Sequence, residues 1–263
     1  MTAGGTTNIK GKNIMLKNIA TLFLILSPLF SYADNSVEAA SSQALKQLIL
    51  EQGLPLPGSG LVLKPMNQMP HYETMKDSIE RDNASIKKYG YVKIDSPEIQ
   101  SLLNFTRGNK NFSSKNLTAS ADTGLYKSID DIQTAYRYYG IPATAMPKIL
   151  AVGPAGTFLE GKGWTGAAQV FEKTGLGVCN YSEMNFKLSN GSIMVPLEFV
   201  TYAVNGKVTV KNIKGEDTKG FMYTVSWYDD SFYHQLECAQ SNFSTETMPD
   251  VIKLASLIDT NSH

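Results

Sequence analysis

Residues 192–204 read SIMVPLEFVTYAV, Asn205-Gly206 follows, and residues 207–213 read KVTVKNI. Two strand-like runs joined by Asn-Gly are the strongest short-range hairpin signal a sequence carries. Asn and Gly accept the left-handed backbone that a type I′ turn requires. Asn190-Gly191 repeats the signal one strand earlier, and Asp229-Asp230 can form a third tight turn. Working outward, five antiparallel strands are expected at residues 178–188, 192–204, 207–213, 221–228 and 232–239. Two-residue turns pair Leu188 with Ile193, Phe186 with Val195 and Met184 with Leu197. They also pair Ala203 with Val208, Thr201 with Val210, Trp227 with Phe232, Val225 with His234 and Tyr223 with Leu236. All of these fall on one face of a meander, and a one-residue slip would scatter them. Pro196 removes a ladder donor and marks a bulge or an edge. A helix after Pro249, with Val251, Leu254, Ala255 and Ile258 on one side, is the natural cover for that face.

Upstream the period is helical. Residues 37–52 form a plausible helix stopped by Gly53, and the proline- and glycine-rich residues 53–70 read as a connector without a regular element. Residues 71–89 carry Tyr72, Met75, Ile79, Ile86 and Tyr89 along one side, with Gly90 as the cap. Ser96-Pro97-Glu98 starts another helix. Residues 107–124 are polar and expected to be mobile. Ser128 and Asp131 resemble a capping box that opens a helix over residues 129–139, closed by Gly140. A short helix is expected over residues 165–173. The fold class is α+β: a helical N-terminal region (34–147), then a five-stranded antiparallel meander covered by a C-terminal helix (148–263).

The start of the chain sets the compartment. Lys17 leads into the apolar run 19–30, which ends in Ser31-Tyr32-Ala33. That is a basic flank, an apolar run too short to span a bilayer, and a small residue at the cut, so residues 1–33 read as a signal peptide. Met15 is an alternative start. The chain holds 24 basic and 24 acidic residues, and Lys10, Lys12 and Lys17 precede the cut while no acid does. The exported chain then has 21 basic against 24 acidic residues, a net of −3, which gives no field to gather nucleic acid. No later segment is long and apolar enough to cross a membrane. The product is expected to be secreted or periplasmic. Sequons such as Asn116-Leu117-Thr118 matter only in a host that glycosylates.

Cys179 and Cys238 are the only cysteines. Export favours a disulfide, which would stabilise the fold by about 4 kcal/mol in the chain-entropy model. The meander objects to it. Its first and fifth strands run the same way, with the cysteines at opposite ends, about 25 Å apart. A disulfide reaches about 7 Å between Cα atoms. Alternation also turns Cys238 inward with Leu236 and Cys179 outward with Tyr181. Either the bond is absent or residues 178–182 are not in regular strand. The enzymatic alternative is a cysteine-dependent hydrolase using Cys179 and His234, although a buried structural histidine suits His234 better, between Phe232 and Leu236.

The outer sheet face carries Tyr181, Met194, Val200, Tyr202, Met222, Tyr228 and Tyr233, too apolar for full wetting. The plainer reading has the N-terminal helices covering part of it. The sharper one is an interaction face built on Tyr181, Tyr202, Tyr228, Tyr233, Met194 and Met222, since aromatics and Met are enriched in interface cores. Three scattered histidines and two distant cysteines match no metal spacing. Gly161-Lys162-Gly163-Trp164-Thr165-Gly166 fits G-x-G-x-x-G, but the pattern downstream is antiparallel. Residues 156–163 lack the hydroxyl that ends a phosphate loop. The stretch reads as a flexible connector with Lys162 solvated and Trp164 packed, and no cofactor is expected. At helical spacing Ile132, Tyr136 and Tyr139 share a core face and leave Tyr138 outward.

The run Gly161–Gly166, with Gly177-Val178-Cys179, Val204-Asn205-Gly206-Lys207, Gly220-Phe221-Met222-Tyr223, Trp227-Tyr228-Asp229-Asp230 and Leu236-Glu237-Cys238, resembles a family of small exported proteins from Legionella-type bacteria. The resemblance covers residues 161–259. It implies a bacterial exported protein and strengthens the case for the disulfide. The family has no assigned activity, so it supplies no catalytic residue. The function expected is a non-enzymatic binding or interaction protein with a host or envelope partner. The alternatives are the hydrolase and a structural subunit of an exported oligomer.

Overall fold

The computed structural model describes residues 60–105, 126 and 128–262, all within one compact unit that runs from 44 to 263. The expected signal peptide, the helix at 37–52 and the polar stretch at 107–124 lie outside the described residues.

The elements follow in chain order. Strand β1 is Leu61–Lys64, helix α1 is Tyr72–Tyr89, strand β2 is Val92–Lys93 and helix α2 is Pro97–Leu103. Then come β3 (Lys148–Leu159), β4 (Gly163–Lys173), β5 (Gly177–Asn185), β6 (Ile193–Pro196), β7 (Val200–Val204), β8 (Lys207–Glu216), β9 (Gly220–Tyr228) and β10 (Phe232–Gln240). Helix α3, Thr247–Thr260, closes the chain. The class is mixed α and β, with a large, mostly antiparallel sheet and a C-terminal helix. The five-stranded meander is replaced by an eight-stranded sheet in the order β2-β8-β9-β10-β5-β4-β3, with β7 paired to β8. Strands β1 and β6 form a separate parallel pair.

Three strands come from residues read as connectors or a helix. The glycine-rich stretch 153–166 is most of the β3–β4 hairpin. Lys162 is exposed, and Trp164 meets Phe158 edge-on at 5.4 Å. Residues 165–173 are β4, not a helix. Thr165, Ala167, Gln169 and Phe171 are buried in alternation, and ladders to β3 and β5 on both sides outweigh any local helical preference. Residues 61–64 of the expected connector form β1. The Ser128–Asp131 capping box forms, but it opens only a 3₁₀ turn, Ile129–Asp131. The chain beyond is extended, held by Trp164 N–H on the Gln133 carbonyl (2.9 Å) and Ala135 N–H on the Trp164 carbonyl (2.8 Å). Extended backbone alternates by two, so Tyr138 packs into the core and Tyr139 stays 44% exposed, the reverse of the helical assignment.

The hairpins behave differently from one another. At Asn205-Gly206 both residues are left-handed (φ 46° and 73°), and Val204 faces Lys207 as a two-residue turn requires. A bulge before Val204 then shifts the ladder, so Thr201 meets Thr209 rather than Val210. The Asp229 turn is two residues longer than a tight turn, with Tyr228 opposite Tyr233. An even shift keeps every face, and Tyr223, Val225, Trp227, His234 and Leu236 are all fully buried together. Val208 and Val210 lie on the opposite face, opposite Tyr228 and Ser226. The Asn190-Gly191 hairpin does not form. Asn190 is left-handed, but Gly191 N–H closes on the Phe186 carbonyl (2.8 Å) and the chain leaves the sheet. Pro196 ends the short strand β6, which pairs with β1.

Freed from that hairpin, β5 lies antiparallel between β10 and β4. Its first face carries the main core under α3, where Met248, Val251, Leu254, Ala255 and Ile258 are buried. The opposite face is covered at one end by α2, whose Ile99 and Leu102 pack with Val170, Met222 and Ala239. The Ser96-Pro97-Glu98 start is seen, with Pro97 in the first turn. Helix α1 runs from Tyr72 to a left-handed Gly90 (φ 83°), as its pattern indicates, yet none of its residues is buried.

Candidate functional site

The two cysteines sit directly opposite each other on β5 and β10, joined by a disulfide with Cα atoms 4.1 Å apart. The 25 Å objection came from the meander and disappears with it, because adjacent antiparallel strands bring the start of one beside the end of the other. Cys179 therefore points inward with Cys238, and alternation carries Tyr181 and Glu183 inward after it. The outward placement of Tyr181 is corrected.

That parity builds a buried polar cluster. Glu183 and His234 face each other across β5 and β10, and neither has any exposed surface. The Tyr181 hydroxyl donates to Glu183 Oε2 (2.8 Å) and contacts His234 Nδ1 (2.9 Å). His234 Nε2 reaches Asp229 Oδ2 at 3.4 Å. Lys207 Nζ bridges Asp229 (3.4 Å) and Asp259 of α3 (2.7 Å), and Trp227 Nε1 donates to the same Asp259 oxygen (2.9 Å). The rings of His234, Trp227 and Tyr181 lie nearly parallel, with His234 5.0 Å from Trp227. Burial works against a charged imidazole, but Asp229 and Glu183 outweigh it and raise the pKa of His234. Burial would likewise raise Asp229, yet His234 and the N–H groups of Ser231 and Phe232 hold it well below the usual carboxylate range. Burial and the Glu183 charge keep Tyr181 and Tyr138 neutral.

A sealed imidazole between two carboxylates can fix strands to a turn and a helix, but no substrate reaches it. Cys179 and His234 are not brought together as a nucleophile and base. They lie on rows four residues apart along the sheet, roughly 13 Å, and Cys179 has no thiol to ionise.

The six residues of the expected interaction face are dispersed. Tyr181 is in the main core and Met222 lies under α2. Tyr228 and Tyr233 are half-buried and stack on each other (5.3 Å). Tyr202 is half-buried, and Met194 on β6 is 40% exposed. Large apolar side chains are also exposed on α1 and just after it: Met75 at 52%, Ile86 at 45%, Tyr89 at 39% and Ile94 at 46%. A groove of about 430 Å³ runs between α3, the β4–β5 turn and the 3₁₀ turn Ala143–Ala145. Among the described residues no group of three or more His, Cys, Asp or Glu could hold a metal ion, and no helix is long and apolar enough to cross a membrane.

Glu183, Lys207, Asp229 and Asp259 are the cluster members that sequence reasoning missed. The signal lay in the cysteines: a Cys179–Cys238 bond requires both to face inward, and period two then turns Glu183 inward opposite His234. In comparisons with family models, curated proteins and solved structures, nothing matched this chain.

Proposed function

We propose that this chain is an exported bacterial binding protein that works outside the reducing cytosol and contacts an envelope or host partner through apolar side chains on its surface. The disulfide supports the compartment, because a cross-link between facing strands persists where thiols are oxidised. The observation that carries the binding reading is α1. Eighteen residues form a helix with an apolar stripe, and not one of them is buried. A helix of this length is marginal on its own and gains most of its stability from packing an amphipathic face. A partner would supply that packing. Tyr202, Tyr233 and Met194 offer a second, smaller contact.

The experiment is capture of the partner from envelope and host-cell fractions by the tagged, exported chain. Met75→Ser with Ile86→Ser should abolish capture and leave the unfolding midpoint almost unchanged, since both residues are exposed. Tyr202→Ser with Tyr233→Ser should weaken capture less. Unchanged capture by the α1 variant would remove that helix as the binding surface. Recovery of the chain from the cytosol with two free thiols would end the extracytoplasmic reading.

A further inference from the structure

The groove beside α3 has a chemistry independent of α1. Its floor is apolar: Leu176 is the last residue of the β4–β5 turn, Leu254 and Leu257 come from α3, and Ala145 ends the opposite wall. Leu176, Leu254 and Ala145 are buried, and Leu257 is half-buried. Its rim carries Lys173 and Lys253, neither in an ion pair among the described residues, and one acid, Asp250. The volume, about 430 Å³, falls within the range of roughly 300–1,000 Å³ typical of small-molecule sites. It is large enough for an alkyl chain and too small for a folded element.

We infer that this groove binds a small amphipathic carboxylate, with its alkyl part on Leu176, Leu254 and Leu257 and its head between Lys173 and Lys253. Two lysines against one aspartate leave the rim positive, which selects an anion. Ammonium groups are compact point charges that pair with a carboxylate or a phosphate alike, so the floor, not the rim, decides between those anions. The leucine floor selects against a fully polar anion, because such a ligand would cover it without removing apolar surface from water on its own side. Lys173 belongs to the end of β4 and Lys253 to α3, so the ligand bridges the sheet and its covering helix.

The test is calorimetric titration of the full exported chain with octanoate, octanol and inorganic phosphate at low salt. Octanoate should saturate a single site at least about tenfold more tightly than octanol, and phosphate should give no saturable heat. Raising the salt should weaken octanoate and leave octanol unchanged, because rim charges are screened and the floor is not. Lys173→Gln and Lys253→Gln should each lower octanoate affinity by roughly three- to tenfold and leave octanol unaffected. Thr174→Trp, at an exposed position on the turn, should block both ligands without touching the core. Equal binding of octanol and octanoate, insensitivity to both lysine variants, or no saturable octanoate binding would each overturn the inference. None of these results bears on capture through α1.

Discussion

At the scale of single residues, His234 is the most consequential side chain. It sits between Glu183 and Asp229 with no exposed surface, and a protonated ring there faces a carboxylate at each nitrogen. Its pKa is raised in the folded chain, so it binds its proton more tightly there than when unfolded. The stability it contributes is complete below about pH 6.5, the unfolded value, and is lost as pH rises through the folded value. Asp229 has the opposite sign. Its pKa is lowered, so its contribution is present above about pH 4 and is lost as pH falls through the folded value. The pair is therefore most stabilising from about pH 4 to 6.5. Urea midpoints measured from pH 5 to 9 should fall for the native chain, and His234→Gln should flatten that fall; parallel curves would show that the histidine does not titrate with folding. Asp259 is the second such residue. Asp259→Ala leaves the Trp227 N–H and the Lys207 ammonium without their shared acceptor. It should cost about 1–3 kcal/mol in chemical unfolding, and Asp259→Asn should recover part of that.

Among the elements, the β3–β4 hairpin and α3 carry separate predictions. Gly163 begins β4 at φ 107°, and a Cβ there would run into the Gln133 carbonyl. Gly163→Ala should therefore destabilise the fold by more than about 1 kcal/mol, and it should break the bridge from residues 133–135 to Trp164. Amide exchange at Trp164 and Ala135 would report it. Ile258 is wholly buried where α3 meets the sheet. Ile258→Ala should cost about 2–5 kcal/mol by equilibrium unfolding, the usual range for deleting a large aliphatic side chain from a core. A loss below 1 kcal/mol would mean that α3 does not seal the face. Local signals placed α1, α2 and α3 well, because Ser96-Pro97-Glu98, Gly90 and the stripe of Val251, Leu254, Ala255 and Ile258 act within a few residues of themselves. They failed at 165–173, where Ala167 and Ala168 favour a helix in isolation and two neighbouring strands decide otherwise.

For the whole molecule, the disulfide joins the two central strands, with 59 residues of separation along the chain. Its loss, by reduction or by Cys179→Ala with Cys238→Ala, should cost about 2–5 kcal/mol, the usual range for removing a native disulfide. Urea titrations with and without reductant would measure it. A midpoint that ignores reductant in the native chain and in the double variant alike would show that the cross-link is redundant with the core around it. The candidate surfaces are also properties of the assembled molecule. Tyr181 and Met222 were eligible as binding residues until the core under α3 took in the first and α2 covered the second, and the groove exists only where α3 crosses the β4–β5 turn.

Sequence by itself determined α1, α2 and α3, the Asn205-Gly206 turn, the faces of β9 and β10, and the pairing candidates Cys179 and Cys238. All but the cysteine pair, which follows from count and compartment, rest on dihedral preference or periodicity within one segment. Tertiary structure alone decided which strands are neighbours. Antiparallel ladders form between any strands of suitable length; within β5 only Cys179 points to β10, and the Asn190-Gly191 hairpin signal points to β6 instead. That one choice set the parity of Cys179, Tyr181 and Glu183, closed the disulfide, and buried His234 against a carboxylate.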